Sequence, residues 1–370
     1  MRTEKSYELD LCNGPILPAM LQFALPLMCS SVLQLLFNAA DIIVVGRYAG
    51  DNSLAAVGSN TALINLLVNL FMGLSVGASI LAARQFGAKD REGLRQTVHT
   101  SILLSLLSGL GIAVVGFFAA RTFLVWMQSP PEVLDLAAAY LRLYFLGMPA
   151  AMLYNFGAAL LRAVGDTRRP LYYLLFSGIA NVLLNLLFVI SFHMEVVGVA
   201  LATVIAQCIS ALLVLRCLIR ERGAVHLNLK QLKIYGPRLK QILYIGLPAG
   251  FQGVLFSLSN VVIQSSINSF GKIVVAGNTA AANIETFVYA SMNAFHQAAI
   301  SFTSQNLGAG KLERIRPVLF RALGCAVVVG LVLGGSASYF GPTLLQIYSG
   351  DPAVISAGMT RLEITAGSPE

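Results

Sequence analysis

The sequence predicts an all-α, polytopic membrane helix bundle made of two parallel-repeat halves. Three observations carry this. Only 11% of the 370 residues are charged and 56% are hydrophobic, whereas soluble domains carry about 25% charged residues. The apolar residues come in runs longer than the roughly 20 needed to cross a bilayer as a helix. Matching residues then recur along the chain at a shift close to 220 positions, about the length of six spans with their loops.

The first run is the most informative. It spans about Ile16–Val45 and holds two irregularities. Pro26 lacks an N–H and clashes with the preceding turn, so a hinge is expected there. Asp41 places a carboxylate among Ile, Val and Ala, and Gln34, Asn38 and Asp41 follow at i, i+4 and i+7 on one face. An ionisable group inside such a helix is costly and usually faces a bundle interior or a wet cavity. The alternative is ordinary solvation near the outer interface.

The remaining helices follow at about Leu54–Arg84, Thr97–Trp126, Glu132–Arg162, Pro170–Phe192 and Val196–Arg220. A basic linker precedes a second series at about Ile242–Ser269, Thr279–Leu307 and Pro317–Tyr339, with a tenth helix beginning near Pro352. The expected organisation is a six-helix half over 1–220, a cytoplasmic linker over 221–240 and an incomplete second half, with about three and a half helices, over 241–370. Polar stripes recur on four helices. Besides the first, the second carries Asn65 and Asn69, the fifth carries Ser177, Asn181 and Asn185, and the eighth carries Glu285, Tyr289, Asn293 and His296. The last four fall within about 80° of one face. Such stripes point at other helices or at water, either to hold the bundle together or to line a path.

Orientation follows from Lys and Arg. About 20 of the 25 basic residues, Arg2 and Lys5 among them, fall in one set of loops. This asymmetry puts the N-terminus and the linker in the cytoplasm and also accounts for the net charge of +8 without nucleic acid. The repeat pairs Leu25-Pro26 with Leu247-Pro248, Asn38 with Asn260, Asn60-Thr61-Ala62 with Asn278-Thr279-Ala280 and Gly87-Ala88 with Gly308-Ala309. Pro248 thus becomes a second expected hinge. Six helices precede the repeat, so both halves enter the membrane in the same direction. Repeat logic leaves about 70 residues of the second half unaccounted for, which predicts a C-terminally truncated chain or, alternatively, one with fewer helices.

Enzyme chemistry finds no support. Gly73-Leu-Ser75-Val-Gly77 fits G-x-S-x-G but sits inside an apolar helix, where small residues at four-residue spacing serve close helix packing. The chain has no HExxH, P-loop or dinucleotide fingerprint. Its five cysteines form no CxxC pair, so neither disulfides nor a metal site is expected.

Several motifs in order resemble the multidrug and toxic compound extrusion (MATE) family of secondary transporters, in its bacterial members. They are Pro26 and Asp41 with Val45-Gly46-Arg47, Gln85-Phe86-Gly87-Ala88, the run Arg162 to Pro170, Asn181 and Asn185, Gly198 to Thr203, and Gly246-Leu247-Pro248. The resemblance spans nearly the whole chain. It implies two six-helix lobes that export small organic cations or amphipathic drugs across the bacterial cytoplasmic membrane in exchange for H⁺ or Na⁺, with no cofactor. The family's ion site falls on Asp41, Asn181, Asn185 and Thr203, with Na⁺ at Asp41 as one option. Many members have an aspartate at the place of Asn185, so the charge here rests on Asp41 alone. Ile263 occupies the second-half equivalent of Asp41. Gln34, Asn38, Asn65, Asn69, Glu285, Tyr289, Asn293 and His296 are candidates for the substrate cavity, and Pro26 and Pro248 for hinges. The protein is expected to act as a monomer in the lipid bilayer. The rival readings are a lipid-linked saccharide flippase of the related superfamily and a non-transporting fragment. A pyrophosphate-bearing substrate would favour basic side chains in the cavity, and Arg142 is the main one well inside a helix.

Overall fold

The computed structural model describes residues 9–127, 131–221, 223–348 and 350–366, and within the helices it leaves aside some side chains, mainly between 51 and 66. Arg2, Lys5 and Arg222 of the basic set lie outside the described residues, as does the side chain of Asn65. The described residues form helices and connecting loops with no strand. In chain order the helices are α1 (Ile16–Tyr48), α2 (Asp51–Gly87), α3 (Arg91–Trp126), α4 (Leu134–Leu146), α5 (Met148–Ala163), α6 (Arg168–Leu186) and α7 (Glu195–Arg220). They continue with α8 (Gly236–Asn268), α9 (Lys272–Gly308), α10 (Ile315–Tyr339), α11 (Gly341–Gln346) and α12 (Pro352–Ala366).

Seven of these helices are long and apolar enough to cross a membrane: α1, α2, α3, α7, α8, α10 and α6 with the π-helical turn Leu187–Ser191 that ends it. The single helix expected over Glu132–Arg162 is broken in two. α4 and α5 meet at 46° around Gly147, and counted together they make an eighth span. The reason is local: Pro149, in the first turn of α5, has no N–H to continue the ladder of α4. α9, 37 residues long, carries a polar stripe and is not among the seven. α1 runs unbroken through Pro26, and α8 runs unbroken through Pro248.

The outside of the bundle is greasy. Leu331 and Val328 on α10, Phe118 and Val115 on α3, and Leu183 on α6 are more than half exposed. Polar water would penalise such a surface, whereas lipid chains accept it. The protein is a multi-pass membrane bundle.

The two halves of the repeat interlock. α1 of the first half packs on α9 of the second, α8 of the second packs on α2 of the first, and α2 and α9 pack on each other between them. The two outer crossings use different side chains. On one, Phe23 and Phe302 meet edge to face at 6.0 Å, among Ala24, Ala294 and Ala298. On the other the helices approach through glycines. A Cβ on Gly73 would fall 2.1 Å from the Gly250 nitrogen, and one on Gly77 2.6 Å from the Ile242 oxygen. Gly73-x-x-x-Gly77 is thus a packing motif, and Ser75 is spent on the Met72 carbonyl at 2.8 Å.

At the Lys/Arg-rich end the central pair closes symmetrically. A Cβ on Gly87 would lie 1.9 Å from the Gln305 carbonyl oxygen, and one on Gly308 1.9 Å from the Arg84 carbonyl oxygen. Gln305 also donates across the seam to the Ala163 carbonyl at 2.7 Å. Residues 9–14 lie along this seam as a strap. Asn306 donates to the Leu11 carbonyl at 3.0 Å, Lys311 to that of Cys12 at 3.1 Å, and Arg314 to that of Gly14 at 3.0 Å. Leu9 meanwhile rests on Gly165 of the first half, whose φ of +91° suits glycine. The α2–α9 seam is therefore closed at the basic end.

Candidate functional site

α1, α6 and α7 bring Asp41, Asn181, Asn185 and Thr203 into one line of contacts. Asn185 Nδ2 donates to Asp41 Oδ1 at 2.5 Å and also faces Asn181 Oδ1 at 3.3 Å. Asn181 Nδ2 reaches Thr203 Oγ1 at 3.5 Å, and that hydroxyl donates to the Val199 carbonyl at 3.0 Å. The placement follows from helix geometry. Asn181 and Asn185 are one turn apart on α6 and point to its buried side with Ser177, all three under a tenth exposed. Asn185 is fully buried, and its Oδ1 has no hydrogen-bond partner. Among the described residues no Lys, Arg or His forms an ion pair with Asp41. The site is a carboxylate faced by amide and hydroxyl groups, all oxygen or N–H chemistry, with one acceptor left over.

The other candidates disperse. Gln34 and Asn38 lie exposed on the Asp41 helix. Asn69 donates to Ser257 Oγ at 3.0 Å across the α2–α8 crossing, so it ties helices together. Tyr289 and His296 are exposed, and Asn293 is half-buried. Ile263, the second-half equivalent of Asp41, is an exposed apolar side chain.

Glu285 lies in a cluster of its own, which the sequence reading missed. Arg361 of α12 forks onto it, with Nε at 3.0 and 3.1 Å from the two carboxylate oxygens and Nη2 at 2.7 Å from Oε2. Arg361 Nη1 donates to Asn278 Oδ1 at 2.5 Å, and Thr365 Oγ1 donates to Glu285 at 3.0 Å. The signal was present in part: Asn278 is the repeat partner of Asn60, and Arg361 is a charge within the apolar run that opens near Pro352. What could not be read was that Gly277 lets α12 approach, its Cβ direction pointing at the Val354 oxygen 2.6 Å away. Arg142, singled out earlier as the main basic residue inside a helix, is exposed and stacks over Phe117 at 5.7 Å.

A cavity of about 1160 Å³ opens at the basic end, lined by Asp10, Cys12, Gln85, Lys89, Arg95 and Lys311 among others. None of the expected site residues lines it. Among the described residues, no group of three or more His, Cys, Asp and Glu side chains could hold a metal ion.

Comparison with known proteins bears on this arrangement. The family model described as MatE matches residues 26–187 and 248–368. A "Probable multidrug resistance protein YoeA" of Bacillus subtilis (strain 168) is 28% identical over 354 residues, covering 94% of this chain and 76% of that protein. The "Probable multidrug resistance protein YpnP" of the same organism is 26% identical over 352 residues, covering 94% and 78%. A solved structure described as the "Outward-facing conformation of a multidrug resistance MATE family transporter of the MOP superfamily" superimposes with a TM-score of 0.90 at 26% identity, over 98% of this chain and 80% of that one.

Proposed function

Because the chain belongs to the MatE family, matched over both halves of its repeat, we propose that it is a secondary antiporter exporting organic cations or amphipathic drugs in exchange for H⁺ or Na⁺. The family is one of transporters, and the chain is not an enzyme. The relatives' names support drugs as the substrate class. The observation that carries the coupling is Asp41: a carboxylate inside a spanning helix, held by Asn185 and facing no cation among the described residues.

An unpaired carboxylate at membrane depth is expensive while charged. A proton or a sodium ion relieves that, and the surroundings suit either. The Asn185 amide can hydrogen-bond both forms of the carboxyl group. Asp41, the spare Asn185 Oδ1, Asn181 Oδ1 and Thr203 Oγ1 together make a set of hard oxygen donors for Na⁺. Either ion neutralises α1 at this point. We assign the resulting motion to the Pro26 and Pro248 hinges, with the halves rocking against each other and giving alternating access. Gln34, Asn38, Glu285, Tyr289, Asn293 and His296 line the substrate path in this reading.

The positive-inside rule sets the basic end in the cytoplasm of a bacterial cell. The glycine seam and the strap hold α2 and α9 together at that end. The protein acts as a monomer in the cytoplasmic membrane. The test is ethidium export from cells expressing the chain. Asp41→Asn abolishes export while leaving membrane insertion intact. Full export by that variant removes Asp41 from the coupling.

A further inference from the structure

The geometry points to Arg361 as a tethered cation that occupies the Glu285 carboxylate until an exported organic cation takes its place. This rests on the reading that the chain carries such cations.

The pair is nearly saturated. Glu285 receives three guanidinium contacts and the Thr365 hydroxyl, and the remaining arm of Arg361 goes to Asn278. In this state Glu285 offers a substrate nothing. Packing does not require the pair. α9 and α12 already meet closely at Gly277, opposite Val354 and Gly358. At the matching place in the first half, Asn60 of α2 holds α4 by donating to the Ala137 carbonyl at 3.1 Å, with no charge involved. The pair is also only partly covered, the side chain of Arg361 being 33% exposed and that of Glu285 21%. One turn along the same face Tyr289 is 63% exposed, and His296 beyond it is exposed too.

Removing one partner of a shielded ion pair strands the other charge. Arg361 can therefore leave Glu285 only as another cation arrives, its own guanidinium staying on Asn278 and turning to its exposed side, and the event is an exchange of cations on Glu285. The incoming group competes with a guanidinium, which is planar, delocalised and weakly hydrated. Cations of that kind succeed and compact, strongly hydrated ammonium groups do not. The Tyr289 ring adds a face on which such a cation can rest. Arg361 thus sets the threshold for what is carried, and Glu285 supplies the attraction.

The test is ethidium binding to the purified 370-residue chain in detergent, followed by fluorescence anisotropy, with the melting temperature of each variant recorded. Arg361→Gln binds ethidium about tenfold more tightly than the wild type, a gain of roughly 1.4 kcal/mol. Arg361→Lys, which keeps the charge but loses the fork, falls between the two. Glu285→Gln loses binding. The swap Glu285→Arg with Arg361→Glu keeps the wild-type melting temperature and binds ethidium no better than Glu285→Gln. Wild-type binding that Arg361→Gln leaves unchanged or weakens, or a swap that binds as the wild type does, overturns the inference and leaves the transport reading standing. No ethidium binding by the wild type or by Arg361→Gln overturns both.

Discussion

Asp41 and Glu285 are both carboxylates set well inside helices, one in each half of the repeat, and their surroundings are opposites. Asp41 is met by the Asn185 amide at 2.5 Å, with Asn181 and then Thr203 behind that amide. Glu285 is met by a guanidinium at 2.7 Å. The repeat produced two similar frames and then filled them differently, with Ile263 where the second half would have matched Asp41. The lesson concerns charge. A carboxylate with neutral partners has no fixed counter-charge, so a mobile ion can fill that role. A carboxylate with a built-in cation is neutralised from the start and changes only by exchange. Coupling therefore belongs to the first half in this reading and substrate discrimination to the second.

The comparison can be broken most directly at Asn185. Asn185→Ala removes the side chain that, among the described residues, donates to Asp41, and ethidium export falls by at least about tenfold, as expected when a bond to a charged group worth roughly 1.5–3 kcal/mol is lost. Export at the wild-type rate would mean that Asp41 is not organised by this contact. The next effect is on stability. Glu285→Gln strands Arg361, and because the pair is only partly shielded the loss is about 1–3 kcal/mol, below the range for fully buried pairs. Asp41→Asn strands nothing and leaves the melting temperature near that of the wild type. Equal melting shifts for the two variants would erase the distinction.

Where the halves are alike, the effects must be alike. Gly87→Ala and Gly308→Ala each force a methyl to within 1.9 Å of a carbonyl oxygen across the seam. Each penalises the closed form by about 1–3 kcal/mol, the usual range for overpacking. The readout is maleimide labelling of Cys12, which is buried beside Gln305 when the basic end is shut. Burial pushes its thiol above the ordinary value, with the Asp10 charge acting in the same direction, so labelling reports opening. Both variants speed it, by similar factors. A large effect from one glycine alone would show that the seam is not symmetric.

The smallest effect is on pH. Burial pushes the Asp10 carboxyl up, but the bonds from the Asn13 side chain and from the Cys12 and Asn13 amides, with the charge of Lys311, outweigh it and hold the group below its ordinary value of 3.8. A depressed value in the folded state means stabilisation that is present above pH 3.8 and lost as pH falls through the lower folded value. Hydrogen-exchange protection of the Cys12 and Asn13 amides is therefore flat from pH 7 to 5 and declines only under strongly acidic conditions. A decline near pH 6 would point to another group.

Much of this was legible beforehand because it depends on spacing along one helix. The run of Asn181 and Asn185, the i, i+4, i+7 face ending in Asp41, and the near-constant shift between halves are one-dimensional patterns; in the structure Asn185 meets Asp41 and Asn181 while Gln34 and Asn38 stay exposed. The break at Gly147 was hidden because hydropathy does not change across Leu-Gly-Met-Pro, although Gly and Pro so close together are a physical reason for a bend. The partner of Glu285 was hidden for another reason. It stands 76 residues away, and what joins them is the close approach at Gly277, a property of two helices that neither sequence segment displays alone. A carboxylate can be found by reading along a chain. Its counter-ion can be found only in space.

The interlocking of α1 with α9 and of α8 with α2 has a consequence for how the molecule could be handled. Each sequence half buries a helix of the other, through Phe23 and Phe302 on one side and the glycine crossing on the other. Two polypeptides made from a gene severed between Glu221 and Gly236 would have complementary surfaces waiting for them, and should reassemble in one membrane into a working split transporter.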